Sequence, residues 1–288
     1  MRSTRAVVLG GGGVAGIAWE IGLLAELLDL GVDLNEADLV VGTSAGSVVG
    51  TALRFGQVPA AVAAQETAED GASAPDYQEP DSFDGERFMN IMGAVGQGGG
   101  GEKAARTRLG QLALKADTQL TEEAWVSSIR MLVPYPVWPE KALGVTAVDA
   151  EDGRFKVFDG SSGVDLGLAV TASCTVPTVW PPVHINGHVY MDGGMRSGTN
   201  ADVAAGHGKV LVISCGLEAP QSPFGPTLPQ ALKTINKEGA SFLIEADAQA
   251  LQAFGTNMLL DSTRKPSLAA GRRQAKEIAD DVRRFWEG

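Results

Sequence analysis

Two short apolar runs, Ala6-Val7-Val8-Leu9 and Leu39-Val40-Val41, each break without transition into glycine. An all-apolar run of that length suits a strand buried on both faces, as in a parallel sheet covered by helices. Each glycine stretch is followed by a run of helical character. Residues 17–28 place apolar side chains at helical spacing and close on Gly31, which suits a C-cap, and residues 47–53 are small and apolar. Strand, glycine turn and helix, twice over, predict an α/β fold with a mostly parallel sheet. Both glycine turns then fall at the carboxyl edge of that sheet, where open α/β folds bind ligands.

The second turn is Gly42-Thr43-Ser44-Ala45-Gly46. It matches the G-x-S-x-G elbow, in which a sharp strand-to-helix turn pushes a serine hydroxyl toward substrate. The helix behind it offers free N–H groups and the positive end of its dipole. The first turn, Gly10 to Gly16, suits two chemistries. Gly11-x-Gly13-x-x-Gly16 matches the dinucleotide fingerprint, but that reading needs an acidic residue closing the second strand, and Asp33, Glu36 and Asp38 all precede it. The other reading is an oxyanion hole, with backbone N–H groups aimed at developing negative charge beside Ser44.

A chain of 288 residues with 44% hydrophobic content has ample material for a core. Its net charge of −12 argues against nucleic acid and strongly anionic membranes as partners. Cys174 and Cys215 lie in apolar surroundings without a C-x-x-C pattern, as buried structural thiols do. No stretch has the length of a membrane span, and the first residues do not resemble a signal peptide, so a soluble cytoplasmic protein is expected.

Residues 54–125 carry the weakest pattern. An Ala-rich helical run to about residue 70 precedes a polar, acidic loop at 71–84, a short helix at 85–92, a glycine-rich mobile stretch at 93–101 and a helix at 104–116. The segment reads as a surface insertion or as a cap whose Phe83, Phe88, Met89, Ile91 and Met92 form an apolar channel. Strand patterns return at 143–148 and 154–158, followed by a small-residue helix at 166–173. A hairpin then turns on Asn186-Gly187 and delivers Asp192-Gly193-Gly194. A buried strand at 210–214 precedes a helical remainder, roughly 227–286, broken near Pro266.

A serine nucleophile needs a base. Of the three histidines, His184 and His188 flank the hairpin turn and read as a solvated pair. His207 completes the order Ser44, Asp192, His207 expected of a hydrolase triad. Asp192 is itself the alternative base, provided burial raises its pKa from the ordinary 3.9 or so. Nothing in the sequence has metal-ligand spacing, and neither a metal nor a cofactor is expected.

Three elements in order, Gly11-Gly12-Gly13-Val14-Ala15-Gly16, Gly42-Thr43-Ser44-Ala45-Gly46 and Asp192-Gly193-Gly194, resemble the patatin-like phospholipase family. The approach to the aspartate, from Ala172 to Pro177 and from Gly187 onward, is similar to that family as well. The resemblance implies a three-layer α/β/α sandwich over about residues 5–208, with residues 54–125 as a variable cap-like insertion and 209–288 as a last strand and helices on the same domain. It implies a lipid acyl hydrolase with a Ser44–Asp192 dyad and no histidine, and an oxyanion hole from the N–H groups of Gly11, Gly12, Gly13 and Ala45. Gly16, Gly42, Gly46, Gly193 and Gly194 are its motif glycines. The implied partners are a lipid or acyl-ester substrate and transient contact with a membrane or micelle. Where the family often carries a basic residue, this chain has Ala15.

Overall fold

The computed structural model describes residues 4–67, 85–216, 218 and 221–288. Strand β1 (Arg5–Leu9), helix α1 (Gly13–Asp29), strand β2 (Leu39–Gly42) and helix α2 (Ala45–Arg54) form the doubled strand–turn–helix unit. Helix α1 begins four residues earlier than apolar spacing suggests, because the glycine turn itself supplies its first turn. Gly31, at φ +85°, follows its end.

Helices α3 (Val58–Thr67), α4 (Gly85–Gly96), α5 (Gly101–Ala113) and α6 (Glu122–Leu132) come next. The first part of the glycine-rich stretch continues α4 to Gly96, since Met92 and Val95 pack against a buried cluster that outweighs the low helix propensity of Gly93, and residues 97–100 form the turn to α5. The expected loop at 71–84 lies outside the described residues.

Strand β3 (Ala142–Asp149) pairs antiparallel with β4 (Phe155–Phe158), and helix α7 (Leu166–Ser173) leads to the hairpin β5 (Val183–Ile185) and β6 (His188–Asp192). Strand β7 (Lys209–Ser214), helix α8 (Leu228–Ile235), strand β8 (Ala240–Glu245), helix α9 (Ala248–Phe254) and helix α10 (Arg264–Glu287) complete the chain. The expected helical remainder is therefore interrupted by a strand: Phe242, Leu243 and Ile244 pair parallel with β7 at the sheet edge. Pro266 does not break α10. It sits in the first turn, where its missing N–H would have had no helical partner.

The eight strands form one sheet, with the hydrogen-bonded path β5-β6-β3-β2-β1-β7-β8 and β4 on β3. Its centre, β3-β2-β1-β7-β8, is parallel. Alternate residues of β1 feed two cores. Val7 and Leu9 join the face covered by α1, α2, α7 and α10, while Ala6 and Val8 join the face covered by α8. A third cluster, with Leu109, Val148, Met191 and Phe224, seats α4 and α5 on the face opposite α7. The architecture is a three-layer α/β/α sandwich. Among the described residues no helix is long and apolar enough to cross a membrane.

Candidate active site

The register of β3 explains why Ser44 and Asp192 meet. Strand β3 has three partners but only two edges. Val145 pairs with both β2 and β4, and Ala147 and Val148 pair with both β4 and β6. Strands β2 and β6 therefore share one edge, running toward each other end to end. Gly42 closes β2 opposite Val145, and Asp192 closes β6 opposite Ala147. Only Thr146 lies between the two register positions. Its hydroxyl hydrogen-bonds the Thr43 hydroxyl (2.8 Å). The buried Asn200 ties both chain ends together, its Nδ2 donating to Thr43 Oγ1 (3.1 Å) and to the Gly193 carbonyl (3.0 Å).

Ser44 is half-buried, at φ 52° and ψ −121°. That is the first central position of a II′ turn, a conformation that glycine favours and a serine holds at a cost of about 1–3 kcal/mol. Both its backbone groups are fixed. Its N–H donates to Ser173 Oγ (2.8 Å), and its carbonyl accepts from Ser47 Oγ (2.6 Å) and Ser47 N (2.8 Å). Gly46 permits the tight turn, because a Cβ there would lie 2.1 Å from the Leu9 carbonyl oxygen.

Asp192 has an ordinary backbone conformation, but its side chain is sealed, at 2% exposure. One carboxylate oxygen accepts from the Gly194 N–H (2.7 Å), and the Ser44 hydroxyl lies close enough to the carboxylate to lower its pKa. Burial pushes the Asp192 pKa up to about 7, against the lowering effect of those two groups. A carboxylate of that pKa is a competent base at neutral pH. Cys174 is buried near the Asp192 charge, and its thiol is raised, chiefly by burial.

The glycine loop abuts the serine: a Cβ on Gly11 would lie 3.4 Å from Ser44 Cβ. Its donors divide. The Gly11 N–H is committed to the Gly198 carbonyl (2.8 Å), so it is not free to meet an oxyanion as expected from the family pattern. The N–H groups of Gly12, Gly13 and Ala45, at the starts of α1 and α2, have no protein acceptor among the described residues. Gly13 takes φ +59°, which turns the loop into the helix. Behind the loop, Glu20 is fully buried and neither carboxylate oxygen finds a full hydrogen bond, since the Gly10 N–H goes to Ile213 O (3.0 Å). Burial raises its pKa well above the usual range.

The histidines stand apart from this arrangement. His207 precedes β7, whose Lys209 pairs with Arg5, whereas Ser44 follows Gly42, which pairs with Leu9 at the other end of β1. The length of the sheet, roughly 15 Å, separates them. His207 Nδ1 meets the Ala204 carbonyl, His184 meets Glu122 and His188 meets Asp149. Asp149, Glu151 and His188 bring one ligand-capable atom each within 4.8 Å of the others, a proximity the sequence spacing does not suggest. Its local bonds account for Asp149: two turn N–H groups on one oxygen and His188 on the other.

Of the proposed channel residues, Phe88 and Met92 pack into the cluster holding Met191 and Met195, on either side of Asp192. Ile91 is half-buried, and Phe83 and the Met89 side chain lie outside the described residues. The pattern of the sequence does not single out Thr43, Ser47, Thr146, Ser173 or Asn200. They are small polar residues among many, and only the register brings them together.

A sandwich in which a strained serine and a sealed carboxylate close two strands end to end defines a hydrolase-like α/β site. The family model for patatin-like phospholipase matches residues 7–205, from β1 past the aspartate turn, and the chain belongs to that family. Among solved structures it is similar to VipD from Legionella pneumophila, with 12% identity and a TM-score of 0.49 over 98% of this chain and 67% of that one. It is similar to the type III effector protein ExoU, with 12% identity and a TM-score of 0.37 over 95% of this chain and 53% of that one. A structure of full-length SpcU with full-length ExoU from Pseudomonas aeruginosa gives 16% identity and a TM-score of 0.38 over 99% and 61%. Comparison with curated protein sequences finds no match.

Proposed function

We propose that the chain is a lipid acyl hydrolase of the phospholipase A, lysophospholipase or esterase type, working through a Ser44–Asp192 dyad. The observation that carries this reading is the end-to-end closure of β2 and β6 on one edge of β3, which brings Ser44 against the buried Asp192 carboxylate. Ser44 Oγ attacks the ester carbonyl as Asp192 takes its proton. The oxyanion meets the N–H groups of Gly12, Gly13 and Ala45, each such donor worth on the order of 3 kcal/mol of barrier. The protonated Asp192 returns its proton to the departing alcohol or lysolipid. Water, deprotonated by Asp192, then releases the fatty acid from Ser44. No step in this sequence calls on a metal or cofactor.

The substrate lies in a membrane or micelle, which the protein contacts transiently, and the site of action is the cytoplasm. Family membership supports the lipid class, and the two unbridged, buried cysteines are compatible with a reducing compartment. The test is hydrolysis of a panel of phospholipid, lysophospholipid and short-chain esters, in detergent micelles. Activity in the wild type that disappears in Ser44→Ala and Asp192→Asn supports the reading. Binding of lipid without turnover in a folded wild type would replace it with a silent lipid-binding module.

A further inference from the structure

We propose that Ser173 is a positioning residue for the nucleophile, and that the segment from Ser173 to Thr175 aligns the two members of the dyad. The proposal rests on the Ser44–Asp192 reading above. Ser173 is the last residue of α7 and is fully buried. Its Oγ accepts from the N–H of Ser44, a backbone donor of the elbow that the following helix cannot satisfy. Two residues on, the Thr175 carbonyl takes the N–H of Asp192 (2.8 Å). One short stretch of backbone thus holds both functional residues, one from each of two strands that never pair with each other.

The stretch is itself anchored. Thr175 Oγ1 donates to the Thr171 carbonyl (2.7 Å) and accepts from Trp125 Nε1 (3.0 Å), which ties it to α6. On the other side of the elbow, Ser47 Oγ donates to the Ser44 carbonyl. Ser173 and Ser47 together clamp both backbone polar groups of a serine held at positive φ. Without the Ser173 acceptor, the N–H of the half-buried Ser44 is left without its protein partner. The turn then relaxes toward an allowed conformation, which carries Oγ away from Asp192. Positional errors of that size at a reacting atom act on turnover more than on binding.

The test is the rate of Ser44 labelling by a fluorophosphonate, with kcat and KM on an ester that the wild type hydrolyses, normalised to folded protein. Ser173→Cys replaces the hydroxyl with a slightly larger, weaker acceptor, and Ser173→Ala removes the acceptor altogether. Both are expected to lower labelling and kcat by about tenfold or more, with KM within about twofold. Ser173→Thr keeps the oxygen and is expected to retain the rate within about threefold of wild type. Should Ser173→Ala fail to fold, Ser173→Cys carries the comparison. Labelling of Ser173→Cys at the wild-type rate would overturn this proposal alone. A wild type that neither labels nor hydrolyses any ester would remove the dyad reading, and this proposal with it.

Discussion

The serine turn and the aspartate turn close two strands on the same edge of β3, with one residue between them in register, yet each holds its side chain under a different kind of tension. At Ser44 the tension is in the backbone, a positive φ on a non-glycine residue. At Asp192 the backbone is relaxed and the tension is electrostatic, a carboxyl group sealed from water and pushed up to about 7. Strain does not depend on pH, whereas desolvation of a charge does. Glu20 shows desolvation without such a pair: neither of its carboxylate oxygens finds a full hydrogen bond, and burial raises its pKa well above the usual range.

The largest effects should fall on activity. Ser44→Ala and Asp192→Asn are each expected to lower ester hydrolysis by about four orders of magnitude or more, the loss seen when a unit of a nucleophile–base pair is removed. Initial rates on a micellar ester check this. Retention of a tenth of wild-type activity by Asp192→Asn would mean that some other group takes the proton.

Next comes stability against pH. The folded-state pKa of Asp192 lies above its unfolded value near 4, so the stability linked to its proton is complete below pH 4 and is lost as pH rises to about 7. The loss is roughly 4 kcal/mol, at the 1.4 kcal/mol or so per pH unit that linkage gives one proton. Asp192→Asn is therefore expected to be more stable than wild type at pH 8, with a difference that shrinks toward pH 4. Urea denaturation at the two pH values measures it, and an equal difference at both would place the tension elsewhere.

The backbone strain is smaller. Ser44→Gly should be more stable than Ser44→Ala by about 1 kcal/mol, because glycine takes this φ and ψ without the Cβ conflict. That gain should be the same at pH 5 and pH 8, in contrast to the Asp192→Asn gain. The smallest effect belongs to His207, at the far edge of the sheet: His207→Ala should leave kcat/KM within about twofold, as expected of a residue outside the site. A loss of several hundredfold would restore a histidine triad.

The two turns also differ in how legible they are in sequence. Apolar strands ending in glycine state the fold class and place Ser44, because the elbow is local, built from residues 42–46. Asp192 is weaker on its own, since an Asp-Gly turn is common. Its pairing with Ser44 depends on β2 and β6 sharing an edge, a property of long-range register that no local pattern encodes. The same holds for Thr146, Ser173 and Asn200. The division among the loop donors is equally hidden, for the Gly11 N–H is taken by Gly198, about 190 residues later in the chain. Strand β8 escaped the helical expectation because a half-buried edge strand of six residues is too short for periodicity to decide.

In the proposed mechanism Asp192, sealed and pushed up to about 7, is the base for Ser44. The pH dependence of fluorophosphonate labelling, wild type against Asp192→Asn, tests it most directly. The wild-type rate should rise about tenfold per pH unit below an apparent pKa near 7 and level above it, while Asp192→Asn labels slowly and without that step. An Asp192→Asn variant that labels at the wild-type rate with the same step would contradict the account.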